Sequence, residues 1–177
     1  MNVFQEFNKI TKILLAFGVT LLIYGYLARV AEIFFFWESK AIGWAILFLG
    51  TISFLREKIK FKKKEKKNSI IEKIGIGFLI FGLFAKAGIF FTIPNSEAYE
   101  VAIKYVTNNK NIIEDIGTVE STSLLPSGGI QENTDSLGSY GAAQVDLIVK
   151  GNKKHREVSV IITKTVDKPA WEVKGHK

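Results

Sequence analysis

The sequence predicts three transmembrane α-helices followed by a small α+β domain, in which an N-terminal helix packs on an antiparallel meander sheet. Three observations predict it. Residues 1–94 contain three long apolar stretches separated by charged segments. The charge is divided along the chain: residues 1–94 hold 14 Lys/Arg against 6 Asp/Glu, whereas residues 95–177 hold 10 against 11, so the basic excess belongs to the apolar half. Beyond residue 94 the pattern changes to one amphipathic helix and then to period-two alternation.

The first span is read over residues 10–27, ITKILLAFGVTLLIYGYL. Eighteen residues rise about 27 Å, close to one hydrocarbon core. Lys9 and Lys12 lie at its N-terminal end, and no small-x-small cleavage site follows, so it reads as a retained anchor rather than a signal peptide. The second span, residues 41–55, is short at roughly 22 Å, with Lys40 and Arg56 placed to snorkel from its ends. The third covers residues 74–93 and is ended by Pro94.

Residues 56–67, REKIKFKKKEKK, hold Arg56, Lys58, Lys60, Lys62, Lys63, Lys64, Lys66 and Lys67 against two Glu. Basic residues flanking spans stay on the cytoplasmic side. The run is therefore expected to be a polybasic cytoplasmic loop, and a site of contact with anionic membrane lipids. The N-terminus is then cytoplasmic as well, and the domain of residues 95–177 is extracytoplasmic at a cell (inner) membrane. Both hold only if residues 41–55 cross. Residues 28–40 would lie outside, with Trp37 and Trp44 in an aromatic belt.

Each span carries two glycines seven residues apart: Gly18 and Gly25, Gly43 and Gly50, Gly75 and Gly82. Two helical turns place each pair on one face, where small residues allow close helix approach. The pairs fit a three-helix bundle, a homo-oligomer surface, or the ordinary glycine content of membrane helices. Lys86 is a formal charge inside the third span. An intramembrane ionisable group is a candidate for function, but this one lies near the outer end. It reads as snorkelling or as a structural partner of a group such as Glu32, rather than as part of an ion path.

In the C-terminal domain Ser96 is placed to cap a helix from Glu97, with Ala98, Ala102, Tyr105 and Val106 on one face. A second short helix over residues 111–116 ends at Gly117. Strands are expected at residues 118–125, 139–149, 157–166 and 170–174, with a long Ser/Gly/Asn loop at residues 126–138. Leu124 and Leu125, beside Pro126, read either as core at a strand end or as an apolar partner surface.

Several chemistries find no support. The chain has no cysteine, which excludes disulfides, thiolate metal sites and thiol catalysis. His155 and His176 lie in different segments and read as solvated surface residues. No serine has a nearby histidine, and the adjacent Glu114 and Asp115 diverge on a helix, so no catalytic residues, metal or cofactor are expected. The basic excess lies beside apolar spans rather than across a folded surface, so no nucleic-acid partner is expected.

The helix after a span, then Asn111-Ile-Ile-Glu-Asp-Ile-Gly117, then Gly141-Ala-Ala-Gln-Val-Asp-Leu-Ile-Val-Lys-Gly151 before a basic turn, and a late Trp171, together resemble the cytochrome oxidase assembly factor 1 family. The resemblance spans about residues 96–174; three spans replace that family's usual single anchor. A related fold occurs in a presequence-translocase subunit of the mitochondrial inner membrane. The resemblance implies a domain that docks on other membrane proteins during assembly or transport, and with no catalytic constellation the expected function is non-enzymatic binding of a membrane-protein partner in assembly of a membrane (respiratory) complex. The other expectation is a membrane-surface regulator whose Lys-rich loop binds anionic lipid.

Overall fold

The structure is a computed structural model that describes residues 7–136 and 138–177. Three long apolar helices precede a four-stranded antiparallel sheet carrying two shorter helices: α1 (Lys9–Val30), α2 (Ser39–Lys64), α3 (Ile70–Thr92), a 3₁₀ turn (Ile93–Asn95), α4 (Glu97–Asn108), α5 (Lys110–Ile116), β1 (Val119–Asp135), β2 (Gly138–Gly151), β3 (His155–Thr165) and β4 (Lys168–His176). The chain divides into two compact units, residues 1–85 and 86–177.

In the first unit α1 and α2 form an antiparallel hairpin whose contact surface is built from glycine. A Cβ added at Gly18 would lie 2.9 Å from the Leu47 amide nitrogen, and one at Gly25 would lie 2.8 Å from that of Lys40. From the other helix, Gly43 and Gly50 sit against the backbone at Leu22 and Leu15. Backbone therefore meets backbone, which only small residues permit. Gly75 and Gly82 differ: their nearest neighbours are side-chain atoms of Leu55 and Phe48, at 3.3 and 3.4 Å. The close-packing reading thus holds for the first two pairs, within one chain, while α3 meets α2 through side chains.

The second helix departs from its expected length. It continues from the apolar segment through Lys64, giving 26 residues or about 39 Å. Most of the basic run is therefore helix rather than loop. Lys, Arg and Glu are strong helix formers, no Gly or Pro interrupts residues 51–67, and lysines in the last turn suit the negative end of the helix dipole. The helix stops at Glu65, Lys66 takes a left-handed conformation (φ 55°), and the Asn68 side chain accepts from the Ile70 N–H to start α3.

Residues 31–38 form a tied turn between α1 and α2. The Trp37 indole N–H donates to the Ile33 carbonyl at 2.7 Å, Arg29 donates to the Trp37 carbonyl at 3.0 Å, and the Tyr24 hydroxyl donates to the Phe35 carbonyl at 2.6 Å. Trp37 is buried in this turn, with the Arg29 guanidinium 5.0 Å from its ring centre, so it does not stand out as a belt residue; Trp44 is exposed.

The second unit begins within α3, at Lys86 rather than Asn95, because Ile89 and Ile93 pack against its core. Ser96 caps α4 through the Tyr99 N–H, and the expected face of that helix is buried at Ala98, Ala102 and Val106. Asn109 caps α5, which ends at Gly117 with φ 82°, a conformation that favours glycine. Both helices cover one face of the meander β1-β2-β3-β4, and Val145, Leu147, Val149, Val158, Val160 and Ile162 supply the sheet side of the core.

The largest departure is in β1. The expected loop over residues 126–138 is mostly strand: β1 runs on from Leu124 through a bulge to Asp135, which pairs with Gly138. Leu137 of that stretch lies outside the described residues. Leu124 pairs with Leu147 and Gly128 with Val145, so Leu125, Pro126 and Ser127 stand opposite the single residue Asp146. The bulge absorbs the proline, which has no N–H to give to a ladder, and Gly128 takes φ 85° where the pairing resumes.

Candidate functional site

Two surfaces bring together the residues singled out above. The first is the outer edge of β1, to which no strand pairs among the described residues. Past the bulge, Gly128–Asp135 pairs with β2 on one side, while residues 131–136 are exposed. An unpaired strand edge is a template for another strand, and proline and bulges are devices that blunt it. Here both devices fall between Leu124 and Gly128, so the distal part of the edge keeps a regular backbone. That part is also anchored. Lys164 Nζ on β3 reaches Glu132 Oε1 on β1 at 2.7 Å, across Gly141 of β2, which pairs with both residues. The bare glycine leaves the path open, and the Lys164 amine also lies 5.8 Å from the Trp171 ring centre.

The bulge collects three further groups. Lys86 Nζ lies 3.5 Å from the Pro126 carbonyl, at the long limit for a hydrogen bond, so this cation turns to the sheet domain's backbone. Asp146 is buried opposite the bulge, and its Oδ1 accepts from the Gln144 amide at 2.9 Å. Leu124 packs against the core, and Leu125 is half-buried. The apolar pair is therefore divided: Leu124 serves packing, and Leu125 does not join that core cluster.

The second surface is the basic end of α2. Helical geometry sorts the charges that the linear run presents as a block. Lys58 and Lys62 lie 3.1 and 2.6 Å from one oxygen of Glu72, a buried residue in the first turn of α3. Arg56, Lys60 and Lys64, spaced by four, form an exposed stripe with no ion pair among the described residues. Lys67 pairs with Glu65 at 2.8 Å.

Other polar clusters are structural in geometry. Asp115 on α5 receives Lys154 at 2.5 Å and Arg156 at 2.9 Å from the β2–β3 turn and the start of β3. Hydrogen bonding from Lys154, reinforced by Arg156, holds its carboxyl below the ordinary aspartate range. His176 is not simply solvated: its Nδ1 lies 2.7 Å from the Tyr105 hydroxyl, joining the end of β4 to α4. Asp115 could have been found from the basic turn 153–156, whereas nothing in the sequence links Tyr105 to His176. Among the described residues no group of three His, Asp or Glu is arranged to hold a metal ion.

Searches for similar proteins yield no match among protein-family models, curated proteins or solved structures.

Proposed function

We propose that this chain is a non-enzymatic multi-pass membrane protein whose sheet domain binds a membrane-protein partner, in the assembly of a membrane (respiratory) complex. Its N-terminus and the basic end of α2 face the cytoplasm of a cell (inner) membrane, and its sheet domain faces outward. The observation that carries the reading is the open, anchored edge of β1 from Gly128 to Asp135, since main-chain hydrogen bonds along a free edge recruit an extended partner segment. The resemblance to the cytochrome oxidase assembly factor 1 family supports the same role, and three helices long and apolar enough to cross a membrane support the location.

Proline scanning of the edge tests it. Along a strand the N–H groups alternate in direction, so of Gln131→Pro and Glu132→Pro one removes an outward donor and the other a ladder bond. After in-cell crosslinking and mild detergent extraction, the unchanged chain is expected to co-purify with a defined membrane protein. The outward-facing proline is expected to lose it while the domain stays folded. Recovery of the unchanged chain alone, or retention of the partner by both variants, overturns the proposal.

A further inference from the structure

The groove between α1 and α2 at the basic end of the helical unit has two compartments of different chemistry. The larger, of about 490 Å³, has Leu14, Leu49 and Ile52 along one stretch and Arg56 and Lys60 along the next. The smaller, of about 280 Å³, shares Asn8, Glu57 and Lys60 with it and adds Phe61 and Lys64. The two therefore form one path running from apolar wall to cationic rim.

Its polar floor is already internally satisfied. Glu57 accepts from the Asn8 N–H at 2.9 Å through one oxygen and from the Thr11 hydroxyl at 2.5 Å through the other, and Thr11 also meets the Ser53 hydroxyl at 2.7 Å. Glu57 is thus committed to fixing the start of α1 against α2. The positive end of the α1 dipole opens at Asn8 on the same groove. Of the basic run, Lys58 and Lys62 belong to Glu72, while the three rim cations have no ion-pair partner among the described residues.

We infer that this groove binds one anionic phospholipid, with the phosphate between Arg56 and Lys60 and an acyl chain along Leu14, Leu49 and Ile52. Charge complementarity selects this occupant: the rim offers a bidentate guanidinium and an ammonium to an anion. The apolar wall lies one helical turn away, where the hydrocarbon of a bilayer begins if α2 crosses it. The expectation of lipid contact thereby narrows from a whole charged loop to a single site on one helix face. It stands independently of the β1 edge.

Native mass spectrometry of the full chain in mild detergent tests it, with phosphatidylglycerol and phosphatidylcholine of identical chains as probes. One phosphatidylglycerol is expected to be retained in preference to phosphatidylcholine. The double variant Arg56→Gln/Lys60→Gln is expected to weaken retention on the order of tenfold or more, and Lys63→Gln/Lys66→Gln to leave it unchanged. Leu49→Trp, which fills the apolar wall at an exposed position, is expected to lower retention with every charge in place. Equal retention of the two lipids, equal loss in the two charge variants, or displacement by glycerol 3-phosphate at the same concentration as the lipid overturns the inference.

Discussion

The helical unit and the sheet domain are packed in opposite senses. In the sheet domain the apolar side chains are inside: Val106, Ile112, Ile116, Val145, Leu147 and Val160 are fully buried. In the helical unit many of the large apolar side chains point out, with Phe78, Phe81 and Phe84 each exposed over about three quarters of their surface. What that unit buries is mostly small or polar, with Thr11, Gly18, Gly25, Ala28, Ser39, Gly43, Gly50 and Glu72 inside beside the large apolar Phe7, Leu21 and Trp37. Water drives the first arrangement, since burying apolar area is its main stabilisation. Lipid permits the second, because tails solvate Phe and Leu and leave close backbone packing and polar contacts to hold helices together. The contrast teaches that solvent, rather than residue type, decides what counts as interior.

Leu147→Ala should produce the largest effect, destabilising the sheet domain by about 2–5 kcal/mol. Phe81→Ala removes a larger side chain and should leave the helical unit's melting in detergent close to unchanged; an equal loss would erase the contrast. Next comes Gly18→Leu, which drives a side chain into the Leu47 backbone and should cost about 1–3 kcal/mol or separate α1 from α2. Gly77→Leu is the control, since a Cβ there meets nothing within 4 Å. Differential scanning fluorimetry of both in the same detergent would rank them.

The smallest effect belongs to the half-exposed cluster at Asp115. Removing its charge in Asp115→Asn should cost no more than about 1 kcal/mol near neutral pH, as for other solvent-accessible ion pairs. Because the folded-state pKa is lowered, the contribution is present above the unfolded value and disappears as pH falls through the folded one. Melting curves of the original and variant chains should therefore differ at pH 7 and converge below about pH 4.

Much of the fold was legible because its signals are local. Ser96 and Gly117 mark helix ends by side-chain capping and by a left-handed turn, and hydropathy marks three helices. Two of the departures share one physical cause, that composition does not by itself dictate conformation. Lysine-rich residues 56–64 look like a solvated loop, yet their Lys, Arg and Glu residues are good helix formers that continue an existing helix. Ser/Gly/Asn-rich residues 127–135 look like a loop, yet β2 offers them a partner ladder, and strand formation depends more on that context than on intrinsic preference. Of the candidate sites, the basic residues and Lys86 were visible by charge alone. The β1 edge, the division of labour between Lys62 and Lys60, and the groove beside Glu57 depend on contacts between residues far apart in sequence, as between Asn8 and Glu57.

The cysteine-free chain allows the proposed two-sided arrangement to be measured directly, since any thiol introduced is the only one present. Lys63→Cys at the basic end of α2 and Asp167→Cys in the β3–β4 turn are both exposed positions. With a membrane-impermeant maleimide on intact cells, Asp167→Cys is expected to label at once and Lys63→Cys only after permeabilisation. Labelling of both from the same side, or in the reverse order, would contradict an outward-facing sheet domain on an inward-facing basic helix end.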